Sequence, residues 1–114
     1  MLPFEFQVCI LLVTGKLKPG HIGKFVELFT ELEKHVRANE EGALSYQLSI
    51  SEEDPDAFII FERYITKQYL EEVHFKSEAF KMFGTACRAA GIEYESKNIT
   101  KYMEGSAVGY MAKA

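Results

Sequence analysis

The segment ALSYQLSISEEDPDAFIIFERYI, residues 43–65, contains two apolar runs joined by a short polar segment. In the first run apolar and polar residues alternate from Leu44 to Ile50, which predicts a strand with one buried face. Residues 58–65 are largely apolar and predict a second strand. Between the runs, Asp54 and Pro55 have turn chemistry, because Asp bonds nearby backbone and Pro has a preset φ. This stretch therefore predicts an antiparallel hairpin.

A strand and a long helix are predicted upstream of the hairpin. Residues 4–17 are apolar at alternate positions from Phe4 and Phe6 onward, and the other face is also partly apolar, as in a strand buried on both sides. Pro19 ends this strand and suits the first turn of a helix. Gly42 is expected to end that helix in a left-handed conformation. The apolar helix positions are Ile22, Phe25, Val26, Phe29, Leu32 and Val36.

Two short helices and a final strand are predicted downstream. Thr66 is a plausible N-cap for a helix, and Ser77 for a second one. Gly91 ends the second helix, and residues 92–103 form a polar-rich strand. The inner face of the first helix carries Leu70, Val73 and His74, and that of the second carries Phe80, Phe83, Cys87 and Ala90.

The resulting order, β-α-β-β-α-α-β, is typical of an α+β, ferredoxin-like split βαβ fold. Such a fold has a four-stranded antiparallel sheet with helices on one face. The other sheet face needs a cover, so we expect a homodimer that packs sheet against sheet. We assign residues 1–104 to one domain and residues 105–114 to a C-terminal tail.

Composition excludes several classes of function. A chain of 114 residues fits one domain, and its formal net charge of −4 with scattered Lys and Arg argues against nucleic-acid binding. The apolar run at residues 8–13 is too short to span a membrane and lacks a basic leader, so we expect a cytoplasmic protein. Cys9 and Cys87 have no metal-ligand spacing, and we interpret both as buried thiols.

Several short motifs occur in a recognisable order. They are Pro19-Gly20 before the first helix, EGALSY at residues 41–46, Asp54-Pro55 in the turn, FIIFERY at residues 58–64, and an H-x-x-S-x-x-F pattern at residues 74–80. From about residue 8 to about residue 83 the chain resembles the antibiotic biosynthesis monooxygenase (ABM) domain family. Glu62 occupies that family's usual acidic position. The strand after Gly91 is similar only in character.

The resemblance implies a dimeric α+β barrel with a pocket between sheet and helices in each subunit. Similar proteins include cofactor-independent oxygenases of phenolic or quinol compounds, haem-degrading oxygenases and an isomerase of a phosphorylated autoinducer. In the haem-degrading branch the position of Tyr64 is typically Trp, and the haem-ligating histidine would fall near Gly84. This chain departs from that pattern at both places, so we expect no haem degradation.

His74 and Glu62 are the catalytic candidates. His74 should point inward, where a neutral imidazole can take or give a proton, although it can also be a packing residue bonded to a backbone carbonyl. Glu62 lies mid-strand among apolar residues, so its carboxylate needs a partner. That partner is either His74, whose ring it would orient, or an arginine such as Arg63 or Arg88 of either subunit. A Glu that helps to fix the dimer is a further alternative.

The substrate-binding candidates are aromatic. Tyr46 and Tyr64 lie on neighbouring strands and can frame a pocket and bond a substrate oxygen, or serve as core residues. Phe80 and Phe83 are core residues that can also line the pocket. Only three histidines occur, two of them in or beside the first helix, so we predict no metal site. The glycines form no phosphate-binding loop, so we expect no nucleotide cofactor.

These observations lead to one main hypothesis and two alternatives. The main hypothesis is a small cofactor-independent monooxygenase that deprotonates a quinol, phenolic or enolisable small molecule for reaction with dioxygen. His74 is its base, Glu62 orients His74, and Tyr46 and Tyr64 bind the substrate oxygen. The alternatives are an isomerase of a small carbonyl compound and a non-catalytic, stress-responsive ligand-binding dimer.

Overall fold

The structure, a computed structural model, describes residues 8–106 and 108–113. Its four strands form one antiparallel sheet in the order β2-β3-β1-β4, which confirms the predicted ferredoxin-like α+β fold. A π-helical turn, Leu70–His74, continues α2, and a 3₁₀ turn, Glu104–Ser106, follows β4. The elements are β1 Cys9–Leu17, α1 Ile22–Asn39, β2 Ala43–Ile50, β3 Ala57–Tyr64, α2 Lys67–Tyr69, α3 Glu78–Ala89 and β4 Tyr94–Met103.

Predicted boundaries at the two ends of the chain are tested only in part. The first strand begins at Cys9, and Phe4 and Phe6, which we assigned to it, lie outside the described residues. The last strand begins at Tyr94, two residues later than predicted. The division into a domain, residues 1–104, and a tail, residues 105–114, stays a prediction.

The core lies between one face of the sheet and helices α1 and α3. Strand β1 is central because it pairs with both β3 and β4, and its inward residues are almost fully buried. Phe25 of α1 contacts the ring of Phe58 at 4.8 Å between centroids and the ring of Phe83 at 5.7 Å. Aromatic rings thus join sheet and helices. Cys9 and Cys87 are buried free thiols, as predicted.

Two predictions about the ends of α1 are wrong. The helix begins at Ile22 rather than at Pro19, because a turn with Gly20 at φ +88° intervenes. Gly42 does not adopt a positive φ. Its lack of a side chain serves a close approach instead, since a Cβ there would lie 2.6 Å from the ring of Tyr69. Gly42 therefore allows the chain after β3 to pack against the end of α1.

The segment after β3 follows the predicted caps but not the predicted inner face. The Tyr69 amide donates to the Thr66 hydroxyl at 3.0 Å, which confirms Thr66 as N-cap. The Phe75 amide then bonds the Leu70 carbonyl at 3.0 Å, a π-helical spacing wider than that of an α-helix. This spacing buries Leu70 and His74 completely but leaves Val73 39% exposed, so the inward position predicted for Val73 is wrong.

Helix α3 begins and ends as predicted. The Phe80 amide donates to the Ser77 hydroxyl, and Gly91 adopts φ +72° just after the helix. Ile92 then bonds back to the Cys87 carbonyl, which closes the helix end. Ala90, which we placed on the inner face, is exposed.

The sheet face opposite the helices carries partly exposed apolar side chains. Alternate residues of β1, β3 and β4 point to this face, as their register requires. We call it the outer sheet face, and its apolar residues are Ile10, Leu12, Ile59, Phe61 and Tyr102. Beside it, Arg63 makes a two-point ion pair with Glu104 that ties β3 to the end of β4. Among residues 8–106 and 108–113, no helix is long and apolar enough to cross a membrane.

Candidate active site

A cavity of about 430 Å³ lies between the inner face of the sheet and helices α1 and α3. This volume is within the range for small organic ligands. Its polar lining includes Glu62 on β3, Arg88 on α3 and Lys97 on β4. Aliphatic and aromatic side chains form the rest of the wall, and its aromatic residues are Phe25, Phe29, Tyr46, Phe58, Phe75, Phe80, Phe83 and Tyr94.

Glu62 is the carboxylate on the cavity wall. It is 4% exposed, and its Oε1 accepts a hydrogen bond from the Tyr64 hydroxyl at 2.5 Å. Burial, with a smaller contribution from the charge of Glu40, raises the pKa of Glu62 to about 7 against the opposing effect of the bond from Tyr64. A carboxyl group with this pKa can take or give a proton near neutral pH.

His74 is held by Glu40, a residue that the sequence did not identify. The distance from His74 Nδ1 to Glu40 Oε1 is 2.8 Å, and the two residues are 0% and 4% exposed. Because a carboxylate can only accept, Nδ1 carries the proton and Nε2 is left as an acceptor. Burial lowers the pKa of His74, and the bond to Glu40 only partly offsets this, so the ring is neutral near pH 7.

The Nε2 edge of His74 faces the other candidate residues. The Tyr46 hydroxyl lies 3.4 Å from Nε2, and Glu62 Oε1 lies 3.9 Å away, beyond hydrogen-bond distance. The ring packs against Phe80 at 5.1 Å between centroids and does not line the cavity. His74 therefore contacts the site through Tyr46 rather than directly.

The predicted site residues come together, but two of them have different partners from those predicted. Glu62 bonds Tyr64 rather than His74 or an arginine. Tyr64 is fully buried behind Glu62, so its hydroxyl is not free to bind substrate. Tyr46, Phe80 and Phe83 line the cavity. Tyr46 is also stacked on Phe29, with 5.2 Å between ring centroids and 10° between ring planes.

Glu40 follows the last residue of α1 and precedes the turn into β2. In the sequence it is one of two adjacent glutamates, and such a pair at a helix end is usually solvated. Its Oε2 is buried with no hydrogen-bond partner among the described residues, and the nearest basic atom is His35 Nε2 at 3.7 Å. Only the contact with His74, 34 positions later, distinguishes Glu40 from Glu41.

The described parts of the chain contain no group of three or more His, Cys, Asp or Glu residues arranged to hold a metal ion. Burial raises the pKa values of Tyr46 and Tyr64, so both hydroxyls keep their protons near neutral pH. The site thus offers one proton acceptor of near-neutral pKa, Glu62, and one hydroxyl donor, Tyr46, beside an aromatic cavity.

Fold and cavity together define a small α+β domain with a largely apolar cavity and a buried carboxyl group on its wall. Residues 9–86 match the sequence model of the antibiotic biosynthesis monooxygenase family. The match covers more than half of the chain, and the chain belongs to this family. A comparison with curated proteins finds no significant match.

Solved structures show the same fold. A candidate antibiotic biosynthesis monooxygenase from Caulobacter crescentus CB15 is similar with a TM-score of 0.77 and 28% identity, over 91% of this chain and 93% of that one. Another, from Bacteroides thetaiotaomicron, has a TM-score of 0.81 and 15% identity, over 96% of this chain and 99% of that one. A third, from Deinococcus radiodurans, has a TM-score of 0.75 and 21% identity, over 91% of this chain and 99% of that one. At their identities, the last two show the fold alone.

Proposed function

We propose that this protein is a cofactor-independent monooxygenase that deprotonates a quinol, phenol or enolisable aromatic compound and allows it to react with dioxygen. The observation that carries this proposal is the position of Glu62, a buried carboxyl group with a pKa of about 7 on the wall of an aromatic cavity. Membership of the family supports the reaction class.

In the proposed reaction, Glu62 takes the proton of the substrate hydroxyl or enol. The substrate anion transfers an electron to dioxygen, and the radical pair combines to a peroxide. Glu62 returns its proton to the peroxide. The O–O bond then breaks as the carbon that bears the peroxide loses its hydrogen as a proton, so one oxygen atom stays in the product as a carbonyl and the other leaves as water with both protons. The substrate supplies all the electrons, so the step balances without another reductant. General acid–base help of this kind is typically worth about 10²–10⁴-fold.

The other polar groups position this chemistry. The bond from Tyr64 holds the Glu62 carboxylate in one orientation. Tyr46 keeps its proton, and the long 3.4 Å contact with His74 Nε2 leaves its O–H free to turn toward a substrate oxyanion. His74, fixed by Glu40, supports Tyr46. The proposal thus gives the role of base, predicted for His74, to Glu62, because Glu62 rather than His74 lines the cavity.

The enclosure of His74 also favours an alternative, a ligand-binding dimer without chemistry, in which His74 is a packing residue. An isomerase with the same base is the enzymatic alternative, since Glu62 can move a proton between two carbons as well as remove one. Both alternatives predict occupation of the same cavity. They differ from the oxygenase because neither of them needs dioxygen.

Oxygen uptake with a panel of quinols and hydroxyaromatics tests the proposal. We expect at least one compound to consume oxygen, with one atom of ¹⁸O₂ entering the product, and Glu62→Gln to lose about 10²-fold or more of the rate. Glu52→Gln, in the exposed β2–β3 turn, is the matched control. Absence of uptake with every compound would refute the oxygenase, and a fully active Glu62→Gln variant would refute Glu62 as its base. Conversion of a compound under anaerobic conditions would favour the isomerase. Binding of a compound without its conversion would favour the ligand-binding dimer.

The homodimer belongs to the same proposal. A second copy packed on the outer sheet face would cover Ile10, Leu12 and Phe61, and a stable interface needs about 800 Å² on each partner. Light scattering after size exclusion should give twice the monomer mass. Phe61→Glu should give a monomer, while Met82→Glu, on the exposed side of α3, should leave the dimer intact. A monomeric wild-type protein would rule out this arrangement. The cytoplasmic location stays a prediction.

A further inference from the structure

Two basic residues on the cavity wall have no carboxylate partner. Most Lys and Arg side chains of this acidic protein form ion pairs. Among residues 8–106 and 108–113, Arg88 and Lys97 form none, although both line the cavity that contains Glu62. Lys67 and Lys113 form no ion pair with the described residues either, but neither lines the cavity, so the cavity has two exposed cations without a carboxylate partner.

The two cations come from different layers, Arg88 from α3 and Lys97 from β4, and both line the cavity. The Lys97 ammonium lies over the ring of Tyr94, 4.8 Å from its centroid. The Arg88 guanidinium bends back along α3, where its Nη2 donates to the Thr85 hydroxyl at 3.4 Å. Both positive charges act on the thiol of Cys87, which also lines the cavity and whose pKa they lower against the effect of burial. The two positive charges therefore act on the same part of the cavity lining, around Cys87.

Glu62 and Lys97 lie at different ends of the inner sheet face. Glu62 pairs with Leu11 of β1, while Gly15, four residues further along β1, pairs with Lys97 of β4. With about 3.4 Å per residue along a strand and about 4.8 Å between strands, their Cα atoms are roughly 16 Å apart. Both residues line the cavity, so a ligand that contacts both must be elongated, as a molecule of two or three fused rings is.

We propose that the substrate is an elongated hydroxyaromatic compound with an anionic group, a carboxylate or sulfonate, at the end opposite its acidic hydroxyl. Arg88 and Lys97 bind the anionic group, and the hydroxyl then lies beside Glu62. The reverse orientation is disfavoured, since it would place the anion against the Glu62 carboxylate. This inference rests on the proposed function, because it assigns the Glu62 end of the cavity to the reacting hydroxyl.

The test compares the binding of matched probes by calorimetry under anaerobic conditions. The probes are 6-hydroxy-2-naphthoate, which has its carboxylate opposite the hydroxyl, 2-naphthol, which lacks it, and 3-hydroxy-2-naphthoate, which has it beside the hydroxyl. We expect the first to bind about 10-fold more tightly than 2-naphthol, the value of one charge-assisted hydrogen bond. The third probe should bind with the same affinity as 2-naphthol. The preference should fall as salt is added, because the cations are partly exposed.

Substitutions of Arg88 and Lys97 test whether these two residues cause the preference for the carboxylate probe. The double variant Arg88→Met, Lys97→Met should bind 6-hydroxy-2-naphthoate and 2-naphthol equally, and each single variant should give an intermediate preference. The variants should still bind 2-naphthol, which shows that the cavity is intact, and the preference is measured as the ratio of the two dissociation constants. Lys67→Met, on α2 and away from the cavity, is the control for loss of a positive charge.

Equal binding of the two probes by the wild-type protein, or a preference that survives in the double variant, would overturn the inference. Because no dioxygen is present, these outcomes are independent of catalysis. A clear preference without oxygen uptake for any substrate would uphold the anion site and refute the oxygenase. Oxygen uptake with neutral quinols but no preference for the carboxylate would uphold the oxygenase and refute the anion site.

Discussion

His74 Nδ1 lies 2.8 Å from Glu40 Oε1, and this contact joins the end of α1 to the π-helical turn after α2. Both side chains are buried, so neither exchanges this partner for water at low cost. The pair fixes the orientation of the imidazole and leaves Nε2 facing Tyr46. A residue outside the cavity thus determines which atom of His74 faces the site.

Removal of the Glu40 carboxylate should change both stability and the state of His74. In Glu40→Ala the buried Nδ1–H loses its acceptor, which costs about 1–3 kcal/mol of unfolding free energy. The ¹⁵N shifts of the imidazole should show an Nδ1–H tautomer in the wild-type protein and a mixture of tautomers in the variant. Glu41→Ala, next along the chain and exposed, is the control. Equal stability of Glu40→Ala and Glu41→Ala would contradict the structural role of the pair.

The rate should depend on the ionisation of Glu62. Only the ionised carboxylate can accept a proton, and the pKa of Glu62 is about 7. We therefore expect kcat/KM to rise with pH and to level off above pH 7, for a substrate that does not itself ionise in this range. A flat pH profile between 5.5 and 8.5 would exclude Glu62 as the base.

The same pKa predicts a pH-dependent stability. The folded protein holds the Glu62 proton up to about pH 7, whereas an ordinary Glu releases it near 4.5, so stability falls as the pH rises through this window. Glu62→Gln lacks this effect. Urea denaturation at pH 8 should show the variant to be more stable than the wild type by about 1–3 kcal/mol, and the difference should shrink toward pH 5. A variant less stable at pH 8 than the wild type would contradict the cost of burying this charge.

Tyr64 should set the pKa of Glu62 without contacting substrate. Its hydroxyl donates to the carboxylate and stabilises the ionised form, so Tyr64→Phe should raise the pKa of Glu62 above its wild-type value of about 7. The midpoint of the kcat/KM profile should move to higher pH, and a ¹³C titration of the Glu62 carboxyl should follow it. Tyr110→Phe, at a position 78% exposed, should leave both unchanged. If Tyr64→Phe left the midpoint in place, Tyr64 would have only a packing role.

Local patterns in the sequence predicted most of the fold. Alternation in residues 43–65 identified the hairpin, and the caps Thr66 and Ser77 lie where predicted, because capping depends on neighbouring backbone alone. Val73 was placed wrongly because the prediction assumed α-helical spacing, whereas residues 70–74 form a π-helical turn. Such a turn depends on how the segment packs and leaves no clear pattern in the residues.

The site was predicted less completely because it depends on contacts between distant parts of the chain. Residue types and strand alternation identified Glu62, His74 and Tyr46, which the structure brings together. The sequence did not predict that Glu62 rather than His74 lines the cavity, since the cavity forms between packed elements and its position decides which group meets a ligand. Arg88 was weighed only as a partner of Glu62, and Lys97 was not singled out, because a cation without a partner is recognised only when its surroundings are known.

Gly42 permits the approach of α2 to the end of α1, and this approach brings His74 to Glu40. A Cβ on Gly42 would lie 2.6–2.7 Å from three ring atoms of Tyr69, although its φ is not positive. Gly42→Ala should therefore displace this ring from its stacked contact with Tyr64 and cost about 1–3 kcal/mol, as overpacking usually does.

Gly23→Ala is the matched control, because Gly23 lies in α1 and a Cβ there would have nothing within 4 Å. This second variant should gain about 0.4–1 kcal/mol, since Ala restricts the unfolded chain. Thermal and urea unfolding of both variants measure the difference. The Gly42 variant should also lose activity, because movement of Tyr64 disturbs its bond to Glu62. Equal stability of the two variants would show that Tyr69 moves aside freely and that Gly42 does not determine the geometry of the site.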